Sequence, residues 1–367
     1  MDRNLTYDGL RGWLLIVIAC NHLYGSFITQ VTREPFGFVS AAEGFVFLSG
    51  FVAYIVYSRL AEHPIKLKFK IWRRCLTIYG FHISAILITF SLVWFFPFYK
   101  TIWTDFFNAA NWFISTEQSA ISSIFLLQHP GYHDILILYM VPMLFLPFAI
   151  FAIKKGKAAL VITISLLLWL AAPFISINAL TPLHQYLFPD ITINVSYFDP
   201  LAWQLYFYLG VLLSHLKLDK QHNFNFSVST KTVLLIALVV LFYLKHWPQE
   251  WMKALLAEPQ ILSTVRLVNL LIVIYGMMLW MRYAPRFFTL KYPVFLGQHA
   301  LPVFSFHTIV IYYLLPATYE FTTEKWYWDL LSCLFFVALL AIPAKLDQLY
   351  RNKKRYRIVN QAKLSNS

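Results

Sequence analysis

Asp8-Gly9-Leu10-Arg11-Gly12-Trp13-Leu14-Leu15-Ile16-Val17-Ile18-Ala19-Cys20-Asn21-His22 decides how this chain is read. With the residues up to 28 it is long and apolar enough to cross a bilayer, yet it carries ionisable groups at both ends. Asp8 and Arg11 are three apart and share a helix face. Arg11 and His22 are eleven apart, close to three turns, so they share a face too and stand about 16 Å apart along the axis. An ionisable side chain in a span is costly and marks a functional site unless it snorkels or is hydrogen-bonded in a bundle.

Working outward, the same apolar character continues through all 367 residues. The chain is 59% hydrophobic and only 13% charged, with mean hydropathy +0.60. An average soluble domain is about a quarter charged. That excludes disorder, a coiled coil and an ordinary soluble enzyme. Ten spans are expected: 10–28, 37–58, 75–97, 133–153, 158–178, 200–215, 232–247, 259–281, 292–315 and 326–344. The fold class is therefore an all-α polytopic membrane bundle, forming one domain over 1–345 with a basic tail at 346–367. The half-polar 98–132 segment is not a span, and its Ser122-to-Gln128 stretch suits the membrane interface. No internal repeat is visible, which argues against an inverted-repeat transporter.

The net charge of +13 follows from orientation. With ten spans and a cytoplasmic N-terminus, 23 of the 30 Lys and Arg residues fall on the cytoplasmic side and five opposite, with Arg11 and Arg266 inside spans. This is a positive-inside pattern, so no nucleic-acid partner is expected. The first span reads as retained rather than as a cleaved leader. The three cysteines show no metal-ligand spacing and read as packing residues.

Other polar residues collect at span ends. Glu43 lies about two turns into the second span, at a depth similar to that of His22, so the two could form a base and its orienting partner. Small residues around Glu43 permit close helix approach or leave room for a ligand. Lys66-Leu67-Lys68-Phe69-Lys70-Ile71-Trp72-Arg73-Arg74 is an orientation signal and lipid anchor, or a phosphate-binding cluster. His133, Asp134 and Tyr139 open the fourth span, and Asp199, Trp203 and Gln204 open the sixth. Asp134 and Asp199 are positioned to cap helices. Alternatively the two sets line an outward mouth that suits a sugar. Gln298, His299 and His307 interrupt the ninth span, with His307 read first as a buried hydrogen bonder.

The motifs resemble those of a known family. Asp8-Gly9-Leu10-Arg11-Gly12 followed by Asn21-His22 is similar to the Arg, ten residues, His pattern of the acyltransferase-3 class of integral-membrane acyltransferases. Ala41-Ala42-Glu43-Gly44-Phe45-Val46-Phe47-Leu48-Ser49-Gly50 resembles the OpgC family more specifically. So do the blocks starting at Asp134, Pro200 and Leu296, over roughly residues 5–345. The Cys75-Leu76-Thr77 stretch departs from the Arg-rich repeat of the wider class.

The resemblance implies transfer of an acyl group, typically succinyl, from cytoplasmic acyl-CoA to periplasmic glucan in a bacterial inner membrane. It implies His22 as the catalytic residue; beside it Glu43 reads as the group that orients the imidazole, and Asn21 or Tyr139 as the oxyanion donor. Asp8, Arg11, Lys70, Arg73 and Arg74 would serve the donor. His133, Asp134, Tyr139, Asp199, Trp203, Gln204, His299 and His307 would serve the acceptor. No permanently bound cofactor or metal is expected. Expected partners are membrane lipid, the acyl-CoA donor, the glucan and the machinery that makes it. Two other readings stay open: a proton-coupled transporter of an acidic or sugar-like solute, and a structural subunit of glucan synthesis.

Overall fold

The computed structural model describes residues 4–23, 27–175, 180–193, 197–247 and 264–364. Helices dominate and no strand occurs among the described residues. Among the described residues, eight helices are long and apolar enough to cross a membrane. Contacts divide the chain into two compact units, one of residues 1–32 and 280–367, the other of residues 33–279.

The first unit contains α1 (Leu5–His22) and α2 (Phe27–Thr32), then α14 (Pro285–Phe288), α15 (Lys291–Gln298), α16 (Ala300–Glu324), α17 (Trp326–Leu339) and α18 (Ala341–Leu364). Asn4 caps α1 by accepting from Thr6 N at 3.0 Å. Gly9, Gly12 and Gly297 let backbones meet. A Cβ on Gly9 would fall on the Phe288 carbonyl, one on Gly12 on the Pro293 carbonyl, and one on Gly297 on the Asp8 carbonyl. Small residues at helix crossings do this where lipid supplies no hydrophobic drive. The ninth expected span is two helices, α15 and α16, broken at His299. The last helix, α18, runs without a break through the expected tail boundary at 345–346.

The second unit contains α3 (Ala41–Tyr57), α4 (Pro64–Leu92), α5 (Lys100–Phe107), α6 (Ala110–Ile114), α7 (Thr116–Ile124), α8 (Ile135–Lys154), α9 (Ala158–Ile175), α10 (Thr181–Leu187), α11 (Pro200–Leu218) and α12 (Val228–His246). Most of α13 (Thr264–Tyr283) belongs to it as well; the last turn, from Trp280, belongs to the first unit. Its centre is α3 against α11, where Gly50 meets the Phe207 carbonyl and Gly210 the Phe47 carbonyl. α9 and α12 expose most of their apolar side chains, as lipid-facing helices do.

α4 begins eleven residues before the expected third span, because the basic run is itself helical. Leu67, Ile71, Cys75, Ile78, His82, Ile86 and Phe90 are buried along it, a spacing that keeps one face inward. Lys66, Lys70, Arg73 and Arg74 stand exposed on the rest of its surface.

α1 overlaps the expected first span over residues 10–22, starting five residues earlier, and residues 24–26 of that span lie outside the described residues; α11 covers the sixth span, but neither helix is among the eight sufficiently apolar ones. Their polar side chains lower the hydropathy that length alone would credit. The 98–132 segment folds into short helices, as its polar content required. Ser119, Ser122, Ser123 and Gln128 are buried in protein, while Ile121, Ile124 and Phe125 are exposed.

Candidate functional site

In the first unit the polar residues separate toward two ends. Asp8 is buried and Arg11 partly exposed near the start of α1. His299, between α15 and α16, places Nδ1 2.6 Å from Asp347 Oδ2, which also accepts from Arg351 at 2.6 Å. His299 is thus held by an acidic partner on α18. His22 ends α1, about 21 Å along the axis from Asp8. His307, the eighth residue of α16 and about 10 Å from its start, meets it.

The rings of His22 and His307 stack with centroids 5.0 Å apart and planes 25° apart. His307 Nε2 lies 3.0 Å from His22 Nδ1, and His307 Nδ1 lies 2.5 Å from the Phe304 carbonyl oxygen. A carbonyl only accepts, so His307 Nδ1 carries a proton. In neutral His307 the Nε2 atom then accepts, and His22 Nδ1 donates. The network fixes the neutral His22 tautomer, with its proton on Nδ1 and its lone pair on Nε2. Burial supports this order: His22 is 9% exposed and His307 2%.

Neighbouring contacts brace that end of α1. Asn21 Nδ2 donates to the Thr32 carbonyl at 3.3 Å, and Thr32 Oγ1 donates to Asn21 Oδ1 at 2.5 Å. Asn21 therefore ties α1 to α2. Thr29 Oγ1 donates to the Leu23 carbonyl at 2.9 Å. Asp329, fully buried on α17, accepts from Ile28 N at 3.0 Å.

In the second unit Glu43 is 1% exposed and belongs to an ion chain. Its carboxylate completes a capping box, accepting from Ser40 N at 3.0 Å and from the Ser40 hydroxyl. Its other oxygen accepts from Arg266 Nη1 at 2.6 Å. Arg266 also pairs with Glu34, and Glu34 with Lys245. Two anions and two cations balance, which is how buried charge is tolerated. One turn on, Asn269 accepts from Phe38 N at 2.6 Å and donates to the Phe36 carbonyl at 3.0 Å. It lies against Gly37, whose φ of +104° favours glycine. Sequence reading placed Arg266 in a span but gave it no role; a lone Arg in an apolar run was the signal available.

The residues expected at an outward mouth are all buried in the second unit. Asp199 caps α11, accepting from Leu201 N at 2.7 Å and Ala202 N at 3.1 Å. Asp134 makes no such cap and instead accepts from Tyr197 N at 3.2 Å. Gln204 spends its amide on Ser165 and the Leu201 carbonyl, joining α9 to α11. Trp203 is wholly buried between Phe198 and Tyr206. Tyr139 packs edge-on to Phe45, and His133 is 2% exposed.

A further cluster was not singled out in the sequence. Asp219 accepts from Tyr54 at 2.5 Å, lies 2.8 Å from His215 Nδ1 and pairs with Lys154 at 2.9 Å. Burial works against its ionisation, but the hydrogen bonds from Tyr54, Lys154 and His215 outweigh it and hold its carboxyl below the usual value. No His, Cys, Asp and Glu grouping able to hold a metal occurs among the described residues.

Comparison with curated proteins and with solved structures returns no match. The sequence model of the family described as OpgC protein matches residues 3–352. The two His-bearing helices, the Glu43 block and the buried ion chain all fall within that match, and the chain belongs to the OpgC family.

Proposed function

We propose that this protein is a transmembrane O-acyltransferase that moves an acyl group, succinyl in the first instance, from cytoplasmic acyl-CoA to a hydroxyl of a periplasmic glucan. Family membership supports glucan acyl transfer. The observation that carries the mechanism is the hydrogen-bond chain from His22 through His307 to the Phe304 carbonyl. It presents the basic Nε2 of His22 and orients the ring through a second residue, as a general base requires.

In the proposed reaction His22 Nε2 takes the proton from the sugar hydroxyl as its oxygen attacks the thioester carbonyl. The tetrahedral intermediate collapses, the carbon–sulfur bond breaks, and the imidazolium returns the proton to the coenzyme A thiolate. His307 accepts from His22 Nδ1–H throughout and so keeps Nε2 aimed. The Arg11-to-His22 rise of about 16 Å along α1 matches the reach of a pantetheine arm. Asp8, Arg11, Lys70, Arg73 and Arg74 are the proposed donor-side groups, with the arginines suited to phosphate.

The proposed setting is a bacterial inner membrane crossed ten times, α1 and α11 included, with both termini in the cytoplasm. The glucan-synthesising machinery is a proposed neighbour. The deciding experiment is mass analysis of periplasmic glucans from cells with and without the protein, alongside His22→Ala. A succinyl mass increment that disappears in both the null strain and the variant is expected. Acylation retained by a membrane-inserted His22→Ala protein overturns the catalytic assignment.

A further inference from the structure

The buried stripe of α4 changes character partway along. Leu67, Ile71, Cys75 and Ile78 are apolar, but His82 and Thr89 continue the same face. His82 lies ten residues before Leu92, about 15 Å from the C-terminal end of the helix. The partner at that level is not a spanning helix. The His82 ring meets His129, edge to face, with centroids 5.1 Å apart. His129 belongs to the irregular stretch after α7, and Gly131 N there donates to the Phe107 carbonyl at 2.6 Å. Tyr79 Oη donates to the Ile124 carbonyl at 2.8 Å. Non-helical backbone well below the end of a spanning helix is found only enclosed by protein or lining a polar cavity.

What encloses it is polar and incompletely satisfied. Asn111 donates to Gln128 Oε1 at 3.0 Å and to the Thr192 carbonyl at 2.7 Å. Ser122 lies 3.3 Å from His184 Nε2. Yet Gln128 Nε2, Trp112 Nε1, Ser119 Oγ, Ser123 Oγ and both ring nitrogens of His82 are buried with no hydrogen-bond partner. The His133 backbone comes near the His82 ring, but not at hydrogen-bonding geometry. Buried polar groups are nearly always paired, so a cluster of unpaired ones needs a reason. The unpaired groups carry no formal charge, and they mix donors with acceptors. Beside them Trp112 stacks on Phe90 at 4.0 Å.

We infer that this face of α4, with the residue 111–129 segment laid over it, is a binding site for a neutral polyhydroxylated ring, a sugar residue. A hydroxyl both donates and accepts, so it satisfies imidazole, amide, indole and serine alike. A charged ligand would lack a counter-ion here, and an apolar one would leave every polar group unmet. The unpaired atoms are sealed from solvent in the described state, so the ring enters as the short helices lift from α4. Closing dry costs hydrogen bonds and closing on a sugar restores them. That this sugar is the acyl acceptor rests on the acyltransferase reading; the binding itself does not.

The test uses the purified full-length protein in nanodiscs, titrated calorimetrically with a short neutral β-linked gluco-oligosaccharide and no acyl donor. Saturable binding is expected, weakened tenfold or more by His82→Phe. The same variant removes two unpaired nitrogens at similar volume, so its thermal stability without sugar is expected to rise. Ser123→Ala, too small a change to unfold the chain, is expected to shift both quantities in the same directions. Absence of saturable binding by the wild-type protein overturns the inference. So does a stabilised His82→Phe or Ser123→Ala protein that binds as the wild type does, since the unpaired groups would then be a packing defect. A wild-type protein that binds the sugar but transfers no acyl group sinks the acyltransferase reading alone.

Discussion

His307 stands to His22 as the acceptor of its Nδ1 proton: the two nitrogens are 3.0 Å apart, and His307 Nδ1 is already committed to the Phe304 carbonyl. Under the proposed mechanism this relationship makes His307 a positioning residue rather than one in contact with the reacting atoms. Replacing it with Phe keeps the ring volume and removes the acceptor. The expected result is a fall in kcat on the order of 10²-fold with KM for the acyl donor unchanged. His307→Gln is expected to recover part of that loss, because an amide both accepts and donates. Steady-state kinetics on the two variants checks this, and equal loss in both would reduce His307 to a structural residue.

The ion chain makes a prediction about stability. Arg266→Met leaves Glu43 and Glu34 without their shared cation, one of them 1% exposed. Breaking a buried pair from one side costs about 3–5 kcal/mol. Glu43→Gln alone is expected to be destabilising as well. The double variant Glu43→Gln/Arg266→Met is expected to lose less than the two single losses added together. Thermal unfolding of the four proteins in one detergent measures the coupling.

The long helices were legible in the sequence because each is an apolar run, and each of the ten expected segments overlaps a helix among the described residues, outside which 24–26, 176–178 and 259–263 lie. Boundaries were less so. α4 begins at Pro64, a residue suited to the first helical turn, and continues because Lys and Arg propagate a helix about as readily as Leu does, while hydropathy counts their charge as loop. The break at His299 was visible as a polar interruption, but not its ion pair, since Asp347 lies 48 residues away.

At the candidate site, single-span reasoning found His22, Glu43 and His307 from their cost in lipid. It paired His22 with Glu43 by depth. In the structure His22 is bonded to His307, and Glu43 is taken by Ser40 and Arg266. Partners within each unit are set by helix packing and rotation, which one sequence does not display.

Gly12 offers a test of the packing that sets His22 in place. Its α-carbon faces the Pro293 carbonyl so closely that any Cβ must displace backbone. Overpacking a relaxed core costs about 1–3 kcal/mol, and here the neighbour is backbone rather than a flexible side chain. Gly12→Val is expected to give poorly folded protein by size-exclusion profile. Gly80→Val, at a position with nothing within 4 Å of a Cβ, is expected to behave as wild type. A monodisperse, fully active Gly12→Val protein would mean that α1 and α15 are not pressed together.

Asp219 links α3, α8 and α11 through Tyr54, Lys154 and His215. Asp219→Asn keeps the shape but removes the charge that Lys154 pairs with, so a lowered thermal midpoint is expected near neutral pH. The pH dependence follows from the direction of the shift. The carboxyl is held below its ordinary value in the folded chain, so the folded state favours the ionised form. Its contribution is complete above the ordinary Asp range of about 3.9 and is lost as pH falls through the lower folded value. The gap between wild type and Asp219→Asn should therefore be constant through the neutral range and narrow only in acid. Thermal midpoints of both proteins across a pH series measure it. A gap that instead narrowed near neutral pH would overturn the assignment of the stabilising charge to the Asp219 carboxylate.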